Sequence, residues 1–153
     1  MENLNKFFTI KYGNKTYSDK SVLDNGETIL IASQGVDNGT YGFFDIPISY
    51  KPPIITVPRT GSIGFSFVQL YPCTVTDDCM VLTPIMKMET DYLFYVAAVI
   101  RFAKWRYNYG RKITPKRLST LKVIDPEKFQ SNISYNLLLN DIGESLKKLS
   151  ETS

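Results

Sequence analysis

The most concentrated chemistry in this chain of 153 residues is a run of basic side chains between positions 92 and 124. That run contains no Asp or Glu, although the whole chain has 18 basic and 15 acidic residues and a formal net charge of only +3. Its basic residues are Arg101, Lys104, Arg106, Arg111, Lys112, Lys116, Arg117 and Lys122. Trp105, Tyr107 and Tyr109 alternate with these charges, and flat rings next to cations can stack on bases or contact a groove. The run predicts a contact surface for a polyanion, and the alternative is a solvated face formed by a helix and a loop.

Residues able to catalyse a reaction are scarce. The chain has no histidine, which excludes His-dependent triads, His-containing zinc sites and most histidine acid–base chemistry. The two cysteines, Cys73 and Cys79, have no base to activate them, so we interpret them as inert core or rim residues. Asp77 and Asp78 are expected on a strand, where adjacent side chains point to opposite faces and do not share a metal ion. We therefore predict a binding protein that is not an enzyme and that needs no metal and no cofactor of its own.

Apolar periodicity predicts the elements that carry these residues. Strands are expected at 7–12, 28–32, 54–57, 65–70, 75–82 and 121–124, and helices at 89–103, 114–118 and 133–149. Asn25 and Gly26 predict a tight turn, and turn glycines with positive φ are expected at Gly39, Gly42, Gly61 and Gly64. The predicted fold class is α+β, with a mixed twisted sheet or small barrel in the first half. Helices and a basic loop form the second half, followed by a C-terminal amphipathic helix.

Four short motifs occur in a characteristic order. They are Asn-Gly-Thr-Tyr-Gly at 38–42, a strand and glycine turn at 54–64, a strand at 76–82 that opens beside two aspartates, and the block from Tyr-Gly-Arg-Lys at 109–112 to the proline at 126. Together they resemble the target recognition domain of type I restriction–modification DNA specificity subunits, and the similar domains of fused restriction–methyltransferase enzymes. The resemblance implies a mixed α/β domain that reads one half of a split double-stranded DNA site. It also implies a partner DNA methyltransferase subunit, which supplies S-adenosylmethionine and all the chemistry, and it leaves room for a restriction subunit.

The resemblance covers one domain of a larger architecture. A full specificity subunit has two such domains joined by long paired helices, whereas this sequence has one domain and a short terminal helix. We expect residues 1–126 to form the DNA target recognition domain and residues 127–153 to form a helical extension. The extension is predicted to pack on the domain or to form a homodimer through Tyr135, Leu138, Ile142 and Leu149. The chain is thus expected to be a half-subunit, an excised domain or a degenerate one.

Membrane and secretory signals are missing from the sequence. The N-terminus carries Glu2 and Lys6 with no sustained apolar run behind them. The longest apolar stretch, at 96–100, is far shorter than a membrane span. A cytoplasmic protein is therefore expected.

Candidate DNA contacts follow from the chemistry of individual side chains. Amides such as those of Gln34 and Asn38 can pair bidentately with adenine, and arginine can pair with guanine or with phosphate. Gly110 allows close backbone approach beside the charges of the basic loop. The predicted DNA-binding residues are Gln34, Asn38, Tyr41, Arg59, Thr60, Ser62, Lys104, Arg106, Tyr107, Tyr109, Arg111 and Lys112. Tyr41 is equally compatible with core packing.

Two other function classes remain open at the level of sequence. One is an RNA or single-strand binder that stacks bases on Trp105, Tyr107 and Tyr109. The other is a non-catalytic protein-interaction module whose basic loop meets an acidic partner. Competition between duplex and single-stranded nucleic acid separates the first from duplex DNA recognition, and indifference to every nucleic acid indicates the second.

Overall fold

The strands of the protein form three separate sheets. The computed structural model describes residues 1–61, 64–103 and 113–130. The strands are β1 (Glu2–Asn3), β2 (Phe8–Tyr12), β3 (Asn25–Ile31), β4 (Thr40–Phe44), β5 (Ile54–Pro58), β6 (Phe67–Gln69), β7 (Cys73–Val75), β8 (Cys79–Pro84) and β9 (Lys122–Val123). The helices are α1 (Thr90–Phe102) and α2 (Pro115–Ser119). The predicted helix at 133–149 lies outside the described residues.

The largest sheet has four antiparallel strands in the order β2-β8-β5-β6. A second sheet has the order β4-β3-β7, in which β3 pairs antiparallel with β4 and parallel with β7. A third, two-stranded sheet joins β1 to β9. Mixed sheets with few helices confirm the α+β class. The small-barrel alternative is wrong for the described part of the chain, because its strands divide among three sheets and none of these closes on itself.

The central strands β5 and β8 of the four-stranded sheet are buried on both faces. Ile55 and Leu82 belong to a core with Leu93 and Val96 of α1. The alternate residue Ile54 points into a second core with Ile31 of the three-stranded sheet, among others. Because side chains alternate across a strand, packing of α1 on one face and of the three-stranded sheet on the other buries every residue of β5. This explains why β5 is apolar apart from Thr56, whose buried hydroxyl accepts a hydrogen bond from Gln69.

The two helices begin where local signals predict them. Glu89 is the N-cap of α1, and the buried side of this helix includes Leu93, Val96 and Ile100. Thr114 caps α2, because its side-chain oxygen accepts a hydrogen bond from the Arg117 backbone N–H at 3.2 Å. None of the described helices is long and apolar enough to cross a membrane.

Three local predictions are wrong. Asn25 and Gly26 do not form a turn but begin β3, where a bulge lets both Asn25 and Thr28 pair with Phe44. The stretch 75–82 is not one strand, since a turn at 77–78 divides it between β7 and β8. Gly42 does not have positive φ, whereas Gly39, Gly61 and Gly64 do, at 78°, 64° and 95°.

Candidate nucleic-acid interface

Five of the twelve predicted contact residues lie in the part of the chain that the structure describes. They are Gln34, Asn38, Tyr41, Arg59 and Thr60. The other seven lie outside the described residues, and they are Ser62, Lys104, Arg106, Tyr107, Tyr109, Arg111 and Lys112. The described geometry therefore concerns the surface formed by the loop 33–39, the turn 59–61 and the strands beside them.

A hydrogen bond joins the loop 33–39 to the turn that follows β5. The Ser33 hydroxyl donates to the Thr60 carbonyl, and Gly61 continues the turn with φ 64°. Gln34 is half-buried next to Ser33, and its backbone N–H donates to the Ala32 carbonyl at 2.8 Å. The fold thus brings Gln34, Arg59 and Thr60 to the same edge, although more than 20 residues separate the two segments in sequence.

Arg59 is held by contacts that, among the described residues, leave the terminal nitrogens of its guanidinium without a hydrogen-bond partner. Its Nε donates to the Asp77 carbonyl at 2.7 Å, and its backbone N–H donates to the Asp78 carbonyl at 3.0 Å. The guanidinium carbon lies 4.5 Å from the ring centroid of Tyr12, a distance at which a cation is attracted to the ring face. A guanidinium fixed in this way can present its terminal nitrogens to a phosphate or to a guanine edge with little further loss of entropy.

Asn38 holds the other end of the loop. Its amide nitrogen donates to the Val68 carbonyl at 3.1 Å and to Gln69 Oε1 at 3.2 Å. Gln69 Nε2 donates in return to the Asn38 carbonyl at 2.9 Å and to the buried Thr56 hydroxyl at 3.0 Å. Both amide hydrogens of Asn38 are therefore engaged inside the fold, whereas pairing with adenine needs a free donor as well as an acceptor. Its role as an adenine reader stays a prediction, and the structure gives it a second role in anchoring the loop.

Tyr41 presents much of its ring to solvent. The side chain is 47% exposed, and its ring is stacked on that of Phe44 with a centroid distance of 6.0 Å. The ammonium group of Lys20 lies 5.1 Å from the centroid of Tyr41. The exposure favours a contact role over core packing for this tyrosine. Lys20 next to it was not singled out from sequence, because nothing local to residues 18–22 indicates that they approach β4.

Gln69 is the second residue that sequence reasoning missed. It is 5% exposed and lies on β6, where an apolar side chain would be usual. A single polar residue within an apolar strand is a signal for a buried hydrogen-bond network. That signal is visible in the sequence, but its partners Asn38 and Thr56 are not.

Two aspartates and two cysteines lie on β7, on β8 or in the turn between them. Asp77 and Asp78 lie in the turn between β7 and β8 rather than on a strand, so the predicted reason for their separation is wrong. Within residues 1–61, 64–103 and 113–130, no three His, Cys, Asp or Glu residues cluster in a way that could hold a metal ion. Cys73 and Cys79 are free and buried, which confirms their interpretation as core residues. Burial raises the pKa of the Cys73 thiol to about 11 and raises that of Cys79 further, so both are protonated at neutral pH.

The architecture defines a mixed α+β domain in which the loop 33–39 and the turn 59–61 bring amide and arginine side chains to one edge, while Tyr41 is exposed on β4. Residues 1–135 match the family described as the type I restriction modification DNA specificity domain. The chain belongs to this family, and DNA target recognition is the function of such a domain. No curated protein matches the chain in sequence.

Two solved structures have a similar fold. One is the S subunit of a type I restriction–modification system from M. genitalium, with 16% sequence identity and a TM-score of 0.66 over 97% of this chain and 41% of that chain. The other is the HsdS subunit from Thermoanaerobacter tengcongensis, with 14% identity and a TM-score of 0.64 over 99% of this chain and 39% of that chain. At this identity the likeness concerns the fold alone. The chain spans about two fifths of the length of these subunits.

Proposed function

We propose that this domain reads one half of a bipartite duplex DNA site on behalf of a separate DNA methyltransferase subunit. The observation that carries the proposal is the hydrogen bond from Ser33 to Thr60, which places Gln34 and Arg59 on one edge of a DNA specificity domain. Family membership favours duplex DNA over the RNA-binding and protein-interaction alternatives. Since one domain covers only part of the length of the related subunits, the second half-site belongs to a second domain or a second copy.

Four of the five described contact residues are assigned a role that suits their chemistry, and Asn38 instead anchors the loop that carries Gln34. Arg59 binds a backbone phosphate or a guanine edge through the terminal nitrogens of its fixed guanidinium. Gln34 reads a base edge, because its amide combines a donor with an acceptor. Thr60 and the exposed ring of Tyr41 position the DNA backbone. Ser62 and the predicted basic-loop residues complete the proposed surface from outside the described residues.

Chemical modification of DNA is proposed to reside in the partner. The methyltransferase subunit binds S-adenosylmethionine and transfers the methyl group, and a restriction subunit carries out any cleavage. The protonated, buried thiols of Cys73 and Cys79 support a non-catalytic role for this chain. Cytoplasmic localisation accompanies this proposal, because genomic DNA is the substrate.

The domain boundary is proposed to lie after residue 126. Support comes from β9, which closes the first part of the chain by pairing with β1. Beyond it, the Phe129 ring lies 5.2 Å from the rings of both Tyr92 and Tyr95, centroid to centroid, so the extension begins by packing on α1. The predicted dimer contacts, at Tyr135, Leu138, Ile142 and Leu149, lie outside the described residues and remain part of the proposal.

Selection from a randomised duplex pool tests the proposed function. The purified chain is incubated with the pool, alone and with a type I methyltransferase subunit, and the bound DNA is sequenced. We expect enrichment of one short motif, or of two mirrored copies if the chain dimerises. Absence of any enriched motif under both conditions would overturn the proposal.

A matched pair of variants shows which residue reads the motif. Gln34→Ala is expected to relax preference at one position of the motif by about 1–3 kcal/mol, the usual value of a base-specific contact. Gln130→Ala removes the same side chain from an exposed position in the extension and should leave the motif unchanged. Identical motifs from both variants would remove Gln34 from the set of base-reading residues.

A further inference from the structure

Arg101 is held in the same way as Arg59, on a different element. It lies in the last turn of α1, and its Nε donates to the Ser66 carbonyl at 2.9 Å. Ser66 is itself buried, and its hydroxyl donates to the Ala97 carbonyl one turn earlier in α1. The guanidinium of Arg101 is thereby directed across to the segment that precedes β6, away from the carbonyls of its own helix.

Two aromatic rings support the guanidinium. Its central carbon lies 4.9 Å from the ring centroid of Phe67 and 5.6 Å from that of Phe65. The two rings are nearly parallel, with centroids 6.1 Å apart and an interplanar angle of 9°. Such contacts fix the direction of the side chain and shield part of it from water, which strengthens any ion contact on its open side.

The open side of Arg101 has no protein partner among the described residues. Within residues 1–61, 64–103 and 113–130, no carboxylate lies within ion-pair distance of Arg101, and Ser66 is its one hydrogen-bond acceptor. The residue as a whole is exposed to solvent. Its terminal nitrogens are therefore available to a ligand in a planar fork that suits a phosphate.

A cleft of about 300 Å³ opens beside this guanidinium. Its walls include Phe67, Phe94 and Ala97, with Asn38 at one side. None of the residues lining it is acidic, and Phe94 is 44% exposed. One cation beside an apolar wall suits an anionic group attached to a ring with exposed C–H faces, and a phosphodiester with its deoxyribose has this chemistry.

We propose that Arg101 is an anion clamp that binds one backbone phosphate of duplex DNA, with the adjoining deoxyribose against Phe94. The proposal rests on the proposed function and deepens it. Continuity supports DNA as the occupant: Asn38 belongs to the loop that presents Gln34, and the predicted basic loop begins three residues after Arg101. A clamp anchored on a helix and on the segment before β6 positions the DNA without reading its sequence.

Three variants of the full chain test the clamp. Arg101→Gln removes the charge, Arg101→Lys keeps the charge but loses the planar fork, and Lys128→Gln removes a charge elsewhere. Lys128 belongs to the 3-10 turn Pro126–Lys128, which lies beside the first turns of α1, whereas Arg101 lies in the last turn. The two ends of this helix of 13 residues are roughly 18 Å apart, so Lys128 is remote from the proposed clamp. Binding is measured at several salt concentrations, on the selected duplex and on a scrambled duplex, with thermal unfolding of each variant as a folding control.

The expected result is specific to charge and independent of sequence. Arg101→Gln should weaken binding to both duplexes by the same factor, roughly tenfold, and should flatten the slope of log affinity against log salt by about 0.9. Arg101→Lys should keep the slope and lose roughly threefold in affinity, because an ammonium cannot form the fork. Lys128→Gln should match the wild type in both quantities.

Other outcomes would overturn the clamp. A folded Arg101→Gln variant with the wild-type slope excludes a phosphate contact, and an altered motif preference indicates a base contact instead. Normal DNA binding together with lost capture of the methyltransferase subunit indicates that Arg101 binds a carboxylate of that partner. Failure of the wild type to bind any duplex refutes the proposed function itself, and this result is distinct from the other three.

Discussion

Asn38 provides a sharp test of how the loop 33–39 is held. Its amide donates two hydrogen bonds, to Val68 and Gln69, and each contributes about 0.5–1.5 kcal/mol net. Its backbone lies in the left-handed region at φ 55° and ψ 29°, where a side chain with a Cβ costs about 1–2 kcal/mol and Asn is tolerated better than Ala. Asn38→Ala should therefore lower the free energy of unfolding by about 2–4 kcal/mol.

A glycine at the same position separates the two contributions. Asn38→Gly removes the same hydrogen bonds, but glycine adopts positive φ without steric strain. Glycine also loses more backbone entropy on folding, which offsets about 0.4–1 kcal/mol of the free energy gained by avoiding that strain. The expected loss is about 1–3 kcal/mol, smaller than the loss for Asn38→Ala.

Urea unfolding followed by circular dichroism measures both changes. The slope of free energy against urea should stay constant, so that the midpoint reports stability alone. Val36→Ala, in the same loop at a position that is 63% exposed, serves as the control and should stay within about 0.5 kcal/mol of the wild type. The reasoning is refuted if Asn38→Ala also falls within that margin, or if Asn38→Gly is the less stable of the two variants.

Four further predictions concern the arginine, the thiols and the extension. Arg59→Gln should flatten the salt dependence of duplex binding by about one unit, whereas Tyr12→Leu should keep the slope and weaken binding a few-fold; equal slopes in the two variants would contradict a phosphate contact. Cys73 and Cys79 should resist a disulfide reagent at pH 8 until the chain unfolds, and prompt reaction of the native protein would show that they are accessible. Since an unfolded thiol ionises near pH 9 and the native Cys73 only near 11, stability should stay constant from pH 7 to about 8 and fall as the pH rises from 9 towards 11. The raised pKa values of Cys79, Tyr92 and Tyr95 act in the same direction, and urea midpoints at pH 7, 9 and 10.5 would check the fall. Phe129→Ala should cost about 2 kcal/mol by removing a half-buried ring from the two tyrosines of α1, and an unchanged urea midpoint would show that this contact contributes nothing.

Elements specified by neighbouring residues were predictable from the sequence. The helix at 89–103 follows from the spacing of Leu93, Val96 and Ile100, and α2 follows from a threonine cap with proline behind it. Positive φ at Gly39 and Gly61 was predictable for the same reason. Each of these features depends on side chains and hydrogen bonds within a few residues of one another.

Strand pairing overrode two local signals. Asn25 and Gly26 favour a turn in isolation, but hydrogen bonding to β4 draws them into β3 through a bulge. The apolar residues around Asp77 and Asp78 predict a strand at these positions. Because β7 pairs with β3 and β8 pairs with β5, the chain turns there instead. Such outcomes depend on register with distant segments, which local periodicity does not contain.

By itself, the sequence determined the α+β class, the absence of histidine chemistry and the family, because composition and ordered motifs are properties of the chain alone. Only the tertiary structure decided that Gln34 and Arg59 lie at the same edge and that the Asn38 amide donates to Gln69. It also decided that the Arg101 guanidinium packs against two phenyl rings. These contacts join residues about 30 positions apart. The physical reason is that a buried sheet fixes the register of its strands, and with it the positions of the side chains at their ends.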